Sequence, residues 1–113
     1  MNINKELLKG STTILILKLL DKKPMYGYEM IKSIEEKSSG IFSFKEGTLY
    51  PILHTLESKN LVDSFWDEGE GKRKRKYYKI TDKGKLELKE RASEWNTFRT
   101  AVDKILWEGI ICQ

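Results

Sequence analysis

The sequence predicts a mainly α-helical protein with one small β-hairpin. Two observations carry that expectation. Apolar residues recur at helical spacing in three segments before residue 60 and in one long segment after residue 82. Between them the pattern changes to two short, aromatic-rich runs flanking Glu68-Gly69-Glu70-Gly71, which is the layout of a hairpin with a long tip. The 113 residues suffice for one compact unit and not for two independent cores. A hydrophobic share of 39% beside 34% charged residues is ordinary for a folded globular chain and too apolar for a disordered one.

The first helix is expected over about 5–21, with Leu7, Leu8, Ile14, Leu15, Ile16, Leu17, Leu19 and Leu20 as its apolar content. The run from Ile14 also fits a buried strand; leucine dominance and length favour a helix, ended by Lys22, Lys23 and Pro24. The second helix spans about 26–37. Tyr28, Ile31 and Ile34 form its apolar face with Met30 flanking, and Ser38, Ser39 and Gly40 stop it. In the third, Leu49, Ile52, Leu53 and Leu56 sit at i, i+3, i+4 and i+7, one face of a helix. Ser43 and Glu46 have the spacing of a capping box. Pro51 has no N–H and belongs in a first turn, which favours a start near Glu46 over one at Phe44, with Asn60 as the stop. Leu61–Asp67, with Val62, Phe65 and Trp66, reads as a strand, and Lys76–Thr81, with Tyr77, Tyr78 and Ile80, as its return. The last helix runs over about 82–108, capped by Thr81 or Asp82 and closed by Gly109. Along it Leu88, Trp95 and Val102 are seven apart, and Phe98 and Ile105 fill the alternate positions. Three helices, a hairpin and a long helix make a winged helix-turn-helix domain over residues 1–81 with a C-terminal dimerisation helix over 82–113.

Charge narrows the function. There are 21 basic and 17 acidic residues, a net +4. Lys72, Arg73, Lys74, Arg75, Lys76, Lys79, Lys83 and Lys85 lie in one short segment with a single acid, Asp82. That segment carries +7, so the rest of the chain carries −3. A concentrated cationic patch suits a polyanion, nucleic acid first and an anionic membrane surface second. Other classes fall away. One cysteine, Cys112, and one histidine, His54, make neither an internal disulfide nor a structural zinc site. No nucleophile is paired with a base, and there is neither a glycine-rich phosphate loop nor a positioned carboxylate pair, so no catalytic residue, metal or cofactor is expected. The run Ile14–Leu20 is too short for a bilayer and is broken by Lys18, and residues 1–6 lack a signal layout. A cytoplasmic location without membrane contact is expected.

Three surfaces are candidates. With Leu49 packed inward, the opposite face of the third helix carries Gly47, Tyr50, His54 and Ser58. Thr48, Tyr50 and His54 would reach base edges or phosphates and Lys45 a phosphate; the alternative is a solvent face with a packed tyrosine. The run from Lys72 through Arg73, Lys74 and Arg75 to Lys76 would grip phosphates or enter a minor groove, the alternative being a solvated loop. Tyr77 and Tyr78 point to opposite faces of their strand. Trp95 is either dimer core or one wall of a flat aromatic-ligand site between two such helices. Trp66 and Trp107 read as structural.

The motifs Tyr26-Gly27-Tyr28, Gly47-Thr48-Leu49-Tyr50-Pro51-Ile52-Leu53, Leu56-Glu57, Leu61-Val62, Arg73-Lys74-Arg75-Lys76-Tyr77-Tyr78, Ile80-Thr81 and Gly84 together resemble the PadR family of bacterial transcriptional regulators, in its short branch with one C-terminal helix. The resemblance spans nearly the whole chain. It implies a homodimer held by the last helix through Leu88, Trp95, Phe98, Val102 and Ile105, often joined by the partner's first helix. It also implies repression through palindromic, double-stranded promoter DNA. Similarity to multidrug-sensing members implies a planar aromatic effector stacked on Trp95, with Ile14 and Arg99 nearby; the charge of Arg99 favours neutral or anionic compounds. The family's wing usually carries a Gly-Arg pair, and Gly71-Lys72-Arg73 inserts a lysine, which leaves open which cation enters the minor groove. A ligand-sensing or protein-interaction dimer with little DNA binding of its own is the alternative reading.

Overall fold

The computed structural model describes residues 11–67 and 73–108. Helix α1 (Thr12–Lys22) buries Ile16, Leu17, Leu19 and Leu20, so the apolar run is helical and not a strand. The expected stretch over residues 5–10 lies outside the described residues. Lys23 is extended, as a residue before proline tends to be, and this ends the helix. A two-residue strand follows, β1 (Met25–Tyr26), which the periodicity does not signal.

Helix α2 (Gly27–Lys37) begins where the Tyr26 N–H donates to Glu29 Oε1 at 3.2 Å. Its inward face is Gly27, Met30 and Ile34. This corrects the expected face: Tyr28 is 52% exposed and Ile31 only half-buried, while Met30 is wholly buried. The reason is the closeness of the two helices at Gly27. A Cβ there would lie 2.5 Å from the Tyr50 hydroxyl, so the glycine side must face the helix that carries Tyr50, and residue 28 turns outward. Ser39 (φ 54°) and Gly40 (φ 83°) then take left-handed conformations that end the helix.

Helix α3 (Glu46–Ser58) buries Leu49, Leu53 and Leu56. It starts after Lys45, and the Ser43 hydroxyl donates to Glu35 instead of capping it. Pro51 therefore sits in the second turn and not the first, and gives no N–H to the carbonyl of Gly47. Asn60 (φ 63°) turns the chain into β2 (Val62–Asp67). With β3 (Arg75–Ile80) the sheet is antiparallel in the order β1-β3-β2. Its register runs from Val62 opposite Ile80 to Asp67 opposite Arg75, and Met25 and Tyr26 pair with Tyr78 and Tyr77. The hairpin is as expected; the third strand is additional.

Helix α4 (Asp82–Leu106) is 25 residues, about 37 Å at the usual rise. Its start is fastened to the turn after α3. The Thr81 hydroxyl donates to the Asn60 carbonyl at 2.7 Å and accepts from the Gly84 N–H at 2.9 Å. Lys83 Nζ donates to the Lys59 carbonyl at 3.0 Å. Only Gly84 and Leu88 of this helix are buried. The core is thus built by α1, α2, α3, the sheet and the first two turns of α4. The rest of α4 extends away, giving extents of 59 × 31 × 21 Å and a radius of gyration of 16.3 Å where a compact chain of this size would have about 13 Å. Among the described residues no helix is long and apolar enough to cross a membrane.

Candidate nucleic-acid interface

The buried leucines of α3 turn the opposite face outward, and Gly47, Thr48, Tyr50, His54 and Ser58 are all exposed. Lys45 is exposed at the head of the helix, and its carbonyl accepts the N–H groups of Thr48 and Leu49 at 3.0 Å. Tyr50 leans its ring on Gly27. Partial burial, then the neighbouring Glu46 carboxylate and Tyr78, push its phenol above the ordinary range. Tyr78 is pushed the same way by burial and then by Glu57. Both stay neutral near pH 7, so a hydroxyl and not a phenolate faces any partner at Tyr50.

The basic run is divided by the hairpin. Lys72 lies outside the described residues. Arg73 and Lys74 precede the strand, and Arg75 and Lys76 are its first two residues. Successive strand residues face opposite sides. Tyr78 is accordingly buried, while Tyr77 joins a row of rings on the outer face, 5.4 Å from Tyr26 and 5.6 Å from Phe65 between centroids. Arg75 lies over the Tyr26 ring at 4.6 Å, which holds its guanidinium at the edge of β1. On the inner face Lys76 approaches Glu57 of α3 at 3.9 Å, and Ser64 donates to the same carboxylate at 2.5 Å. Glu57 thereby ties the third helix to both strands of the wing.

These pieces meet in one groove of about 730 Å³, lined by Tyr26, Tyr50, Pro51, His54, Trp66, Lys74, Arg75, Lys76 and Tyr78. The structure brings Tyr50 and His54 of α3 and Lys74, Arg75 and Lys76 of the wing to a common surface, while Lys45, Thr48 and Arg73 are exposed but do not line the groove. Four lining residues, Tyr26, Pro51, Trp66 and Tyr78, are not among the expected site residues. Trp66, read as structural, is 66% exposed and overhangs the groove, which corrects that reading. Tyr26 was seen only as a helix opener. Its place beside the wing depends on the unforeseen strand β1, and an aromatic residue just before the second helix is the only trace of it in the sequence.

The seam of α4 divides at Leu88. That residue is buried, Val102 is half-buried, and Trp95, Phe98 and Ile105 are 43%, 62% and 77% exposed. The rings of Trp95 and Phe98 stack at 6.0 Å. Arg99 pairs with Asp103 at 3.3 Å and donates to Asn96 at 2.9 Å, so its charge is shared with its own helix. Ile14 is half-buried against the core. Trp107, at the helix end, is 43% exposed and donates its indole N–H to Asp103 at 3.2 Å. Among the described residues no group of three or more His, Cys, Asp or Glu is placed to hold a metal ion.

A helix-turn-helix pair, a cationic hairpin beside its second helix and a groove between them define a winged-helix DNA-binding protein. The model of the transcriptional regulator PadR-like family matches residues 16–90, and the chain belongs to that family. It is a family of DNA-binding transcription regulators that typically dimerise, not of enzymes. The chain is 32% identical to uncharacterized protein X of Lysinibacillus sphaericus over 108 residues, covering 96% of this chain and 98% of that one. A transcriptional regulator from Clostridium thermocellum superposes with a TM-score of 0.83 at 31% identity, covering 90% of this chain and 96% of that one. A PadR family transcriptional regulator from Eggerthella lenta gives 0.78 at 38% identity, covering 92% and 88%.

Proposed function

We propose that the protein is a homodimeric repressor of palindromic promoter DNA, read by α3 and gripped by the wing, and released by a small planar aromatic effector. The observation that carries this reading is the groove: Tyr50 and His54 of α3 and Lys74, Arg75 and Lys76 of the wing line it together, and none of the described residues that line it is acidic. Lys45, Thr48, Tyr50 and His54 are the reading residues, with Arg73, Lys74, Arg75, Lys76 and the undescribed Lys72 as the phosphate grip. None of the reading residues is an arginine or asparagine, so direct base readout is modest and affinity rests on phosphate contacts. Residues 1–81 act as the DNA-binding domain and 82–113 as the dimerisation helix. The exposed Trp95, Phe98 and Ile105, continuous with Leu88 and Val102, support pairing through α4. The stacked Trp95 and Phe98 support an aromatic effector bounded by Arg99 and by Ile14 of α1.

Fluorescence anisotropy of labelled DNA from upstream of the protein's own gene, against a scrambled duplex at near-physiological salt, tests this. The expected result is a clear preference for the native duplex and an affinity that drops steeply as salt rises. Absence of binding to either duplex at low salt would overturn the reading and leave a protein-interaction dimer.

A further inference from the structure

We propose that Trp66 is a DNA-contacting residue, which packs its indole against the sugar edge of one strand held in the groove between α3 and the wing. The inference rests on the DNA-binding reading above and adds a contact to it. Strand alternation places Val62, Ser64 and Trp66 on the same side of β2. Val62 is wholly buried in the core, and Ser64 is hydrogen-bonded to Glu57 of α3. Trp66 continues that inward row past the edge of the core, opposite Lys76, and is left 66% exposed above the groove. The rest of the groove is lined by Tyr50, Pro51 and His54 from α3, by Tyr26, and by Tyr78 and the cations Lys74, Arg75 and Lys76 from the wing.

A groove lined by cations and aromatic rings together matches the chemistry of a nucleic-acid strand. Its phosphates are anionic, and its deoxyriboses and base edges are apolar. Among the described residues that line the groove, none is a carboxylate that would repel it. A large, rigid, amphipathic ring already held in place loses little freedom on binding, which is why exposed tryptophans serve as contact anchors.

The contact is apolar and releases no counterions, and this separates it from the wing cations in an experiment. Binding of a labelled mixed-sequence duplex is measured across a salt series for the wild type, Trp66→Ala, Trp66→Phe and Arg73→Ala. The expected loss for Trp66→Ala is about tenfold at every salt concentration with the salt slope unchanged, partly restored in Trp66→Phe. Arg73→Ala instead flattens the slope, by about 0.9 for one phosphate contact. The share of the wild-type tryptophan emission that Trp66→Phe removes is expected to be quenched less by acrylamide when duplex is added, a change that a purely structural role would not produce. Unchanged affinity of Trp66→Ala, or quenching indifferent to DNA, would overturn this contact and leave the DNA-binding reading standing. A wild type that binds no duplex would overturn both.

Discussion

Gly84 and Gly27 show how much a missing side chain decides. A Cβ on Gly84 would run into the backbone carbonyl of Leu61 and lie 2.7 Å from Ile80 Cγ1. Backbone cannot swing aside, so Gly84→Ala pushes α4 off the turn after α3. It is expected to cost about 3 kcal/mol, read as a lowered midpoint in chemical denaturation. A Cβ on Gly27 meets only the far end of Tyr50, a ring 43% exposed that can rotate outward. Gly27→Ala is expected to cost about 1 kcal/mol or less in the same assay. If the two variants lost equal stability, the distinction between backbone and side-chain obstruction would be wrong here. Sequence pattern sees neither contact, because spacing reports which residues are apolar and not how closely two backbones approach. The same limit explains Tyr28 and Met30. Both fit a helical apolar stripe, and only the approach of α2 to α3 at Gly27 decides which of them is covered.

The elements themselves were legible where periodicity was strong. The leucines of α3 and the switch to paired aromatic runs placed the third helix and the hairpin within a residue or two. Strand β1 was not legible, since two residues are too few to carry a period. It exists because Met25 and Tyr26 find the free edge of β3. Trp66 was misread for a related reason: its alternation matches a core-facing position, and only the end of the packed layer shows that nothing covers it. Pro51 was assigned to the wrong turn because its missing N–H argues for a helix start, and the burial of Leu49, Leu53 and Leu56 holds α3 together across it. That packing outweighs a lost hydrogen bond. Pro51→Ala restores an N–H for the Gly47 carbonyl at the expense of a looser unfolded chain, and is expected to stabilise the protein by about 1 kcal/mol. Thermal unfolding followed by circular dichroism checks this; a drop in midpoint would mean that the ring is needed where it stands.

On the scale of the whole molecule, the chain is a packed head with a bare rod. Beyond Leu88, Trp95, Phe98, Ile105 and Leu106 of α4 are left exposed by the described residues, the last three by more than half. A second copy would offer the same stripe, and in the proposed dimer a two-fold pairing of like surfaces would close it. Light scattering at micromolar concentration is expected to give twice the chain mass for the wild type and the chain mass for Phe98→Glu, with the fold of the head retained. A wild-type monomer at that concentration would remove the dimer from the proposed function. The heptad-like spacing announced this surface from sequence, whereas the sharing of the Arg99 charge with Asp103 required the coordinates.

The fastening of Thr81, Lys83 and Gly84 to the turn at residues 59–61 gives the molecule a fulcrum. A rod of about 37 Å pivoting there moves its far tip by about 3 Å for each 5° of tilt. Run in reverse, a displacement of a few ångströms at the tip is geared down to a small rotation at the base, where α3 ends. The long helix therefore has the proportions of a lever arm.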